Sequence, residues 1–438
     1  MSAAFDRQRA FDQQRTFDQR RMFDQQRTFD QQRMFDQLWE SLLPVGRDEQ
    51  TGGYRRLAWT AADIACREWF VAAAEARDLT VETDGNANLW AWWGEPGPGS
   101  VAVGSHLDSV PDGGAFDGPL GVVSAFAALD VLRDRGVRPR RPLAVVAFAD
   151  EEGGRFGVAC VGSRLMTGAL DPDRARELAD ADGITLAAAM ADAGHDPGRL
   201  GRDDDRLGRL AAYVELHVEQ GRGLADLDRP VGVGTGIWPH GRYRCTFEGR
   251  ADHAGTTRLE DRADPMLTYA ETVLAARKRA RLAGARATFG RVHVEPNATN
   301  AIPSRVVGWL DLRAADEPGL EQLLADVRRG AQERAARDGT TVEVAVESQS
   351  PAVVFDAQLR DRMAGLLDAP TLATQAGHDA GVLATDVPTG MLFVRNRTGV
   401  SHSPLEHADP ADCHAGVLAL ATVLEAELAV VPGNGGAG

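Results

Sequence analysis

Two stretches constrain the fold of this chain more than any others: "SVAVGSHLDSVPDGGAFDGPLGVVSAFAALDVL", residues 100 to 132, and "PLAVVAFADEEGG", residues 142 to 154. Each opens on a short apolar run without polar alternation, the pattern of a strand buried on both faces. Between the two lies an apolar segment of helical length, 119 to 135. Strand, helix, strand in this order predicts a parallel pair in an α/β sheet. The polar, glycine-rich residues that follow each run then fall at the carboxyl ends of neighbouring strands, where open α/β sheets place their sites.

The rest of the chain sorts around this unit. "AADIACREWFVAAAEARDL" reads as a helix, and "TVETDGNANLWAWWG" as a pair of strands. From 229 to 347 the texture changes. "YRCTFEGRA", "TFGRVHVEP", "SRVVGWLDLRA" and "TTVEVAVES" are strand-like, and two long helical segments separate them in the order strand, helix, strand, strand, helix, strand. That order is the one of a ferredoxin-like sandwich. The expected organisation is a first domain part over 37–228, an inserted α+β domain over 229–347, and the return of the first domain over 348–438. At roughly 150 residues per domain, a chain of 438 residues has room for this.

Residues 1 to 36 stand apart, repeating a six-residue unit, "AFDRQR AFDQQR TFDQRR MFDQQR TFDQQR MFD". Six residues on a helix bring successive phenylalanines about 120° apart, so no apolar stripe forms. The segment is expected to be a disordered or weakly helical tail, with self-association as the other reading.

Charge and composition remove several function classes. A formal net charge of -16 leaves no electrostatic footprint for a phosphate backbone, so nucleic acid is not an expected partner. The single lysine, Lys278, sits in an arginine-rich helical run, which argues against Schiff-base or phosphate-loop chemistry. Cys66, Cys160, Cys245 and Cys413 are widely spaced and read as reduced thiols. With no apolar signal core and no apolar run of about 18 residues, no membrane association is expected and cytoplasm is the expected compartment.

Chemistry concentrates at the strand ends. His106 and Asp117 combine imidazole and carboxylate, a donor set suited to zinc or manganese, with cobalt or nickel admissible, and Asp108 is placed to receive the other ring nitrogen of His106. Alone, His-x-Asp reads as well or better as a histidine satisfied by a neighbouring carboxylate. Asp150, Glu151 and Glu152 follow the second apolar strand, and three adjacent acids there call for a cation or a proton. Neighbours on an extended backbone point opposite ways, so one glutamate can ligate while the other acts as a base. A solvated strand end is the plain alternative. His217 in "YVELHVEQG" and His402 in "GVSHSPLEH" occupy similar polar breaks and, taken singly, read as structural.

Together with "DHAGTT", "PNATNAIPSRV", "DLR" and "AGHDAG", these segments occur in an order that resembles the dinuclear-metal amidohydrolases related to aminoacylase and the metallo-carboxypeptidases. Within them the chain is most similar to the branch of allantoate amidohydrolase, N-carbamoyl-L-amino acid hydrolase and β-ureidopropionase, for which "ELHVEQG" and "HAGTT" are distinctive. The resemblance runs from about Leu38 to the last helix. It implies an aminopeptidase-like catalytic domain with a central, mainly parallel sheet and an inserted lid and dimerisation domain. Two divalent ions per subunit are implied, bridged by Asp117, with His106 and His217 completing one site and Glu152 and His402 the other. Glu151 would be the general base.

In the inserted domain the resemblance implies that His253 stabilises the oxyanion in the partner subunit of a homodimer, while Asn300 and Arg313 hold a substrate carboxylate. Bland readings of the last two are a turn residue and a surface ion pair. Gln220 is a candidate reader of a ureido group. The segment "WPHGR" departs from the family pattern, its His240 reads as a loop, strand-face or surface residue, and His378 has no assigned role. The expected activity is hydrolysis of a C–N bond in a small N-carbamoyl or ureido acid, allantoate first. N-carbamoyl or N-formyl amino acids, or an aminoacylase or dipeptidase activity on the same scaffold, are the alternatives, and a catalytically silent assembly protein is the reading from another class.

Overall fold

The computed structural model describes residues 31–429. The chain divides into two compact units, one comprising the chain up to Thr235 and from Phe355 onward, the other Gly236–Val354.

The first unit is built on one mixed sheet. Its strand order is Thr80–Thr83, Leu89–Trp93, Leu143–Phe148, Ser100–His106, Leu210–Val218, Thr389–Val394 and Val231–Ile237, with Thr371–Thr374 paired alongside the last; the final two residues of Val231–Ile237 already belong to the second unit and pair there with Val353–Val354. Leu143–Phe148, Ser100–His106, Leu210–Val218 and Thr389–Val394 run parallel to one another. The strands on either side of these four join antiparallel. The sheet is therefore mixed and parallel only at its centre, which corrects the expectation of a mainly parallel sheet. "TVETDGNANLWAWWG" turns back on itself after Thr83 and so delivers its strands antiparallel.

Every residue of Ser100–His106 and Leu143–Phe148 is buried. Helices cover the strands, as doubly buried parallel strands require. The helix Pro119–Asp134 begins with proline at its first turn, where a missing N–H costs nothing. It buries Leu120, Val123, Phe126, Ala127 and Leu132 in the same core as Val417, Leu420 and Leu424 of the helix Pro410–Ala429. Among the described residues no helix is long and apolar enough to cross a membrane.

The expectation for residues 1 to 36 lies outside the described residues up to 30. From 31 to 42 the chain is helical, and Phe35 is only 3% exposed. Its ring meets Trp39 and His414 at centroid distances of 5.8 and 5.5 Å, and Asp36 pairs with His414 at 2.8 Å. The last copy of the repeat thus contributes to the core, its phenylalanine meeting Trp39 of the "FDQLWESLL" that follows and His414 of the last helix.

The second unit has a four-stranded antiparallel sheet in the order Thr341–Ser350, His240–Glu248, Arg305–Arg313, Arg286–Glu295. Tyr243, Cys245 and Phe247 alternate with polar residues along their strand. They pack with Leu310 and Leu312 against Ala276, Ala280, Leu320, Leu323 and Val327 of the helices Pro265–Leu282 and Glu317–Asp338. The unit starts later than residue 229 because the first residues of Val231–Ile237 pair with Leu392, Phe393 and Val394 of the first unit's sheet.

Candidate metal centre

Parallel register gathers the first unit's polar motifs at one edge. His106 ends its strand opposite Phe148, and Asp150, Glu151 and Glu152 follow directly. His217 lies opposite Phe393, and the chain beyond that strand leads to Ser401 and His402. Asp117 precedes the crossover helix by way of Gly118, whose φ of +84° suits glycine and where a Cβ would stand 2.3 Å from the His106 ring. Glycine is required here on both counts.

The two oxygens of Asp117 face different histidines. Oδ1 lies 3.1 Å from His217 Nε2 and 3.7 Å from His106 Nε2, while Oδ2 lies 3.3 Å from His402 Nε2. His402 Nε2 is in turn 3.4 Å from Glu152 Oε2. Two groups of three donors result, His106 with Asp117 and His217, and Asp117 with Glu152 and His402, the donor atoms of each within 4.8 Å of one another.

His106 Nε2, His217 Nε2 and Glu152 Oε1 are buried without a hydrogen-bond partner. Unpaired polar atoms in a dry interior are costly unless a cation takes the place of the missing donor or acceptor. His106 Nδ1 faces the Asp108 carbonyl at 3.2 Å and His217 Nδ1 the Val218 carbonyl at 2.8 Å. A proton on each Nδ1 satisfies these carbonyls and leaves the Nε2 lone pairs turned inward. Three nitrogen and oxygen donors per group, one carboxylate common to both, fit a pair of divalent cations of the zinc, manganese, cobalt or nickel type.

Glu151 takes no part in either group. Its Oε2 stands 3.7 Å from His106 Nε2, and its carboxyl is pushed well above the usual range by burial, with the Asp379 and Glu152 charges adding to the effect against that of His106. Burial and the Asp117 charge raise Glu152 to about 7. Asp108 is turned mainly to the backbone of this pair: its carboxylate accepts the N–H groups of Glu151 and Glu152 at 3.1 and 3.0 Å and stays 3.5 Å from His106 Nδ1. It fixes the adjacent glutamates and the histidine together.

Gln220 Nε2 donates to Asp117 Oδ2 at 2.7 Å, leaving its own Oε1 buried and without a partner. Sequence reasoning did not single out Ser401 and Glu406. Ser401 Oγ donates to Asp117 Oδ2 at 3.0 Å and lies 3.1 Å from Glu406 Oε2, while Glu406 Oε1 accepts the N–H groups of Phe116 and Asp117, both at 2.9 Å. Both residues flank His402 in "GVSHSPLEH", and an acid four residues after a ligand was the available signal. His378 packs its ring 4.4 Å from that of His217, edge on, and burial keeps its pKa well below the ordinary histidine value.

In the second unit, His253 pairs with Ala301, and the Ala254 N–H donates to the Asn300 carbonyl at 3.0 Å, which brings His253 and Asn300 together. The His253 Nδ1 accepts N–H groups of Gly255 and Thr256 at 3.0 and 3.2 Å. The proton of the neutral ring is thereby held on Nε2, and the exposed side chain is a ready hydrogen-bond donor. Arg313 lies opposite His240 in the sheet and pairs with Asp311 through Nε at 2.9 Å.

A family model described as peptidase family M20/M25/M40 matches residues 102–426. The N-carbamoyl-L-amino acid amidohydrolase of Geobacillus stearothermophilus is 38% identical over 390 residues, covering 87% of this chain and 95% of that protein. The allantoate amidohydrolase of Bacillus subtilis is 33% identical over 395 residues, 85% and 92% of the two chains. Among solved structures, an amidase of the hydantoinase/carbamoylase family from Burkholderia multivorans superposes with a TM-score of 0.80 at 32% identity, covering 90% of this chain and 97% of that one.

Proposed function

The chain belongs to peptidase family M20/M25/M40, and from that premise we propose that it is a cytoplasmic, homodimeric hydrolase of a C–N bond in a small N-carbamoyl or ureido acid. The observation that carries the reading is the pair of three-donor groups sharing Asp117, with Glu151 beside them and outside both. Allantoate is the first candidate substrate. N-carbamoyl-L-amino acids are the second reading, favoured by the 38% identity to the Geobacillus enzyme.

His106, Asp117 and His217 would hold one divalent ion and Asp117, Glu152 and His402 another. Such ions supply a Lewis acid and lower the pKa of water toward about 7. Glu151 accepts a proton from the attacking water and returns it to the leaving nitrogen. His253 of the partner subunit hydrogen-bonds the oxyanion through its Nε2–H. Asn300 and Arg313 hold the substrate carboxylate, the guanidinium matching it as a planar fork. Gln220, its N–H already committed to Asp117, offers Oε1 to a ureido N–H.

The test is a panel of allantoate and N-carbamoyl-, N-formyl- and N-acetyl-amino acids with metal-reconstituted protein, read by ammonia or carbon dioxide release for the first two and by free amino acid for the others. Turnover of ureido or N-carbamoyl acids is expected. Faster release from N-acetyl substrates would move the assignment to an aminoacylase.

A further inference from the structure

One residue, Cys160, grips Glu151 at both ends. The Cys160 N–H donates to the Glu151 carbonyl at 2.6 Å, and the Cys160 thiol donates to Glu151 Oε1 at 3.1 Å. Cys160 is buried and immediately precedes the helix Val161–Thr167, with φ 56° and ψ 41°. That left-handed conformation favours glycine, and a residue with a Cβ is strained there. The chain thus keeps a thiol where the backbone alone would select no side chain. Burial, followed by the Glu151 and Asp379 charges, raises the thiol pKa well above its ordinary value, so the group is a protonated donor.

A hold on one oxygen fixes the rotation of the carboxylate about its last bond. With Oε1 on the thiol, Oε2 is the oxygen turned to His106 Nε2. We propose that Cys160 is the positioning residue of the base: its S–H holds one oxygen of Glu151 so that the other faces the gathered metal donors. This rests on Glu151 being the base of the C–N hydrolysis described above. Against it stands the ordinary use of a buried cysteine as a small apolar filler.

The two roles separate in a pair of variants. Cys160→Ala removes the donor and keeps the left-handed backbone strain, and Cys160→Ser keeps a donor of similar size. Cys160→Ala should lower kcat about three- to tenfold, the worth of one weak hydrogen bond in the transition state, with KM and metal content unchanged. Cys160→Ser should retain most of the wild-type kcat. Wild-type kcat in Cys160→Ala overturns the proposal, as does an equal fall in both variants, which is what a packing role gives. A second readout needs no turnover. The infrared S–H stretch of Cys160, assigned by its loss in Cys160→Ala, should shift in Glu151→Ala, where the acceptor is gone. A band that stays in place overturns the proposal whatever the substrate panel shows, so failure of the functional reading and failure of this one are told apart.

Discussion

Glu151 and Glu152 are adjacent in sequence and held by one carboxylate, yet their side chains meet different partners: Glu152 Oε2 faces His402, and Glu151 faces His106 and Cys160. Glu151→Gln should therefore keep its metal and lose about 10²- to 10⁴-fold in kcat, because an amide cannot accept the proton. Full metal with wild-type kcat would remove Glu151 from the role. Metal loading should depend on pH through Glu152. Burial and the Asp117 charge raise its carboxyl to about 7 without metal, and a ligand must be ionised to bind, so apparent affinity at that site rises as pH climbs through 7 and the ion bound there displaces a proton. Isothermal titration between pH 6 and 8 checks the sign, and an affinity that fell with rising pH would contradict it. At this scale, the residue types around the strand ends were legible, since His106 and Glu152 stand where apolar runs stop and Asp117 just before the next one begins. Ser401, Glu406 and the double hold of Asp108 were not, because each acts on a group distant in sequence, up to 290 positions for Glu406 and Phe116.

Among the elements, the central strands were readable because a run such as "PLAVVAFAD" has no polar face to show solvent. The antiparallel margins were not, because the direction of a neighbour depends on where the chain returns. Val231–Ile237 shows this: its sequence sits beside the second unit's strands, but its register partners are Leu392, Phe393 and Val394. The last copy of the repeat differs from the others in the amphipathic "FDQLWESLLPVG" that starts with it. Its phenylalanine gains Trp39 and His414 as neighbours and becomes core. Phe35→Ala should cost about 3 kcal/mol of stability, in the range of buried aromatic truncations, and thermal or denaturant unfolding measures it. A chain beginning at Met34 keeps Phe35 and should retain full activity. Loss of activity in a truncated protein that folds normally would show that the repeat acts in catalysis.

For the whole molecule, the proposed donors to metal lie in the first unit, whereas His253, Asn300 and Arg313 lie in the second. That separation motivates the proposal that His253 acts in the partner subunit. His253→Ala should be metal-replete and about 10²- to 10³-fold slower, by analogy with lost oxyanion donors. Mixed with Glu151→Gln under subunit exchange, it should regain activity, since one hybrid site then has both a base and a donor. Heterodimers that form and stay inactive would return His253 to its own subunit or to a structural role. Everything in this account depends on Asp117 serving two ions at once, each oxygen turned to its own set of histidines. The most direct measurement is the metal content per chain of Asp117→Ala beside wild type, His217→Ala and His402→Ala after identical reconstitution. The account predicts two ions in wild type, one lost in each histidine variant, and both lost in Asp117→Ala. An Asp117→Ala protein that is folded and still carries two ions would contradict it.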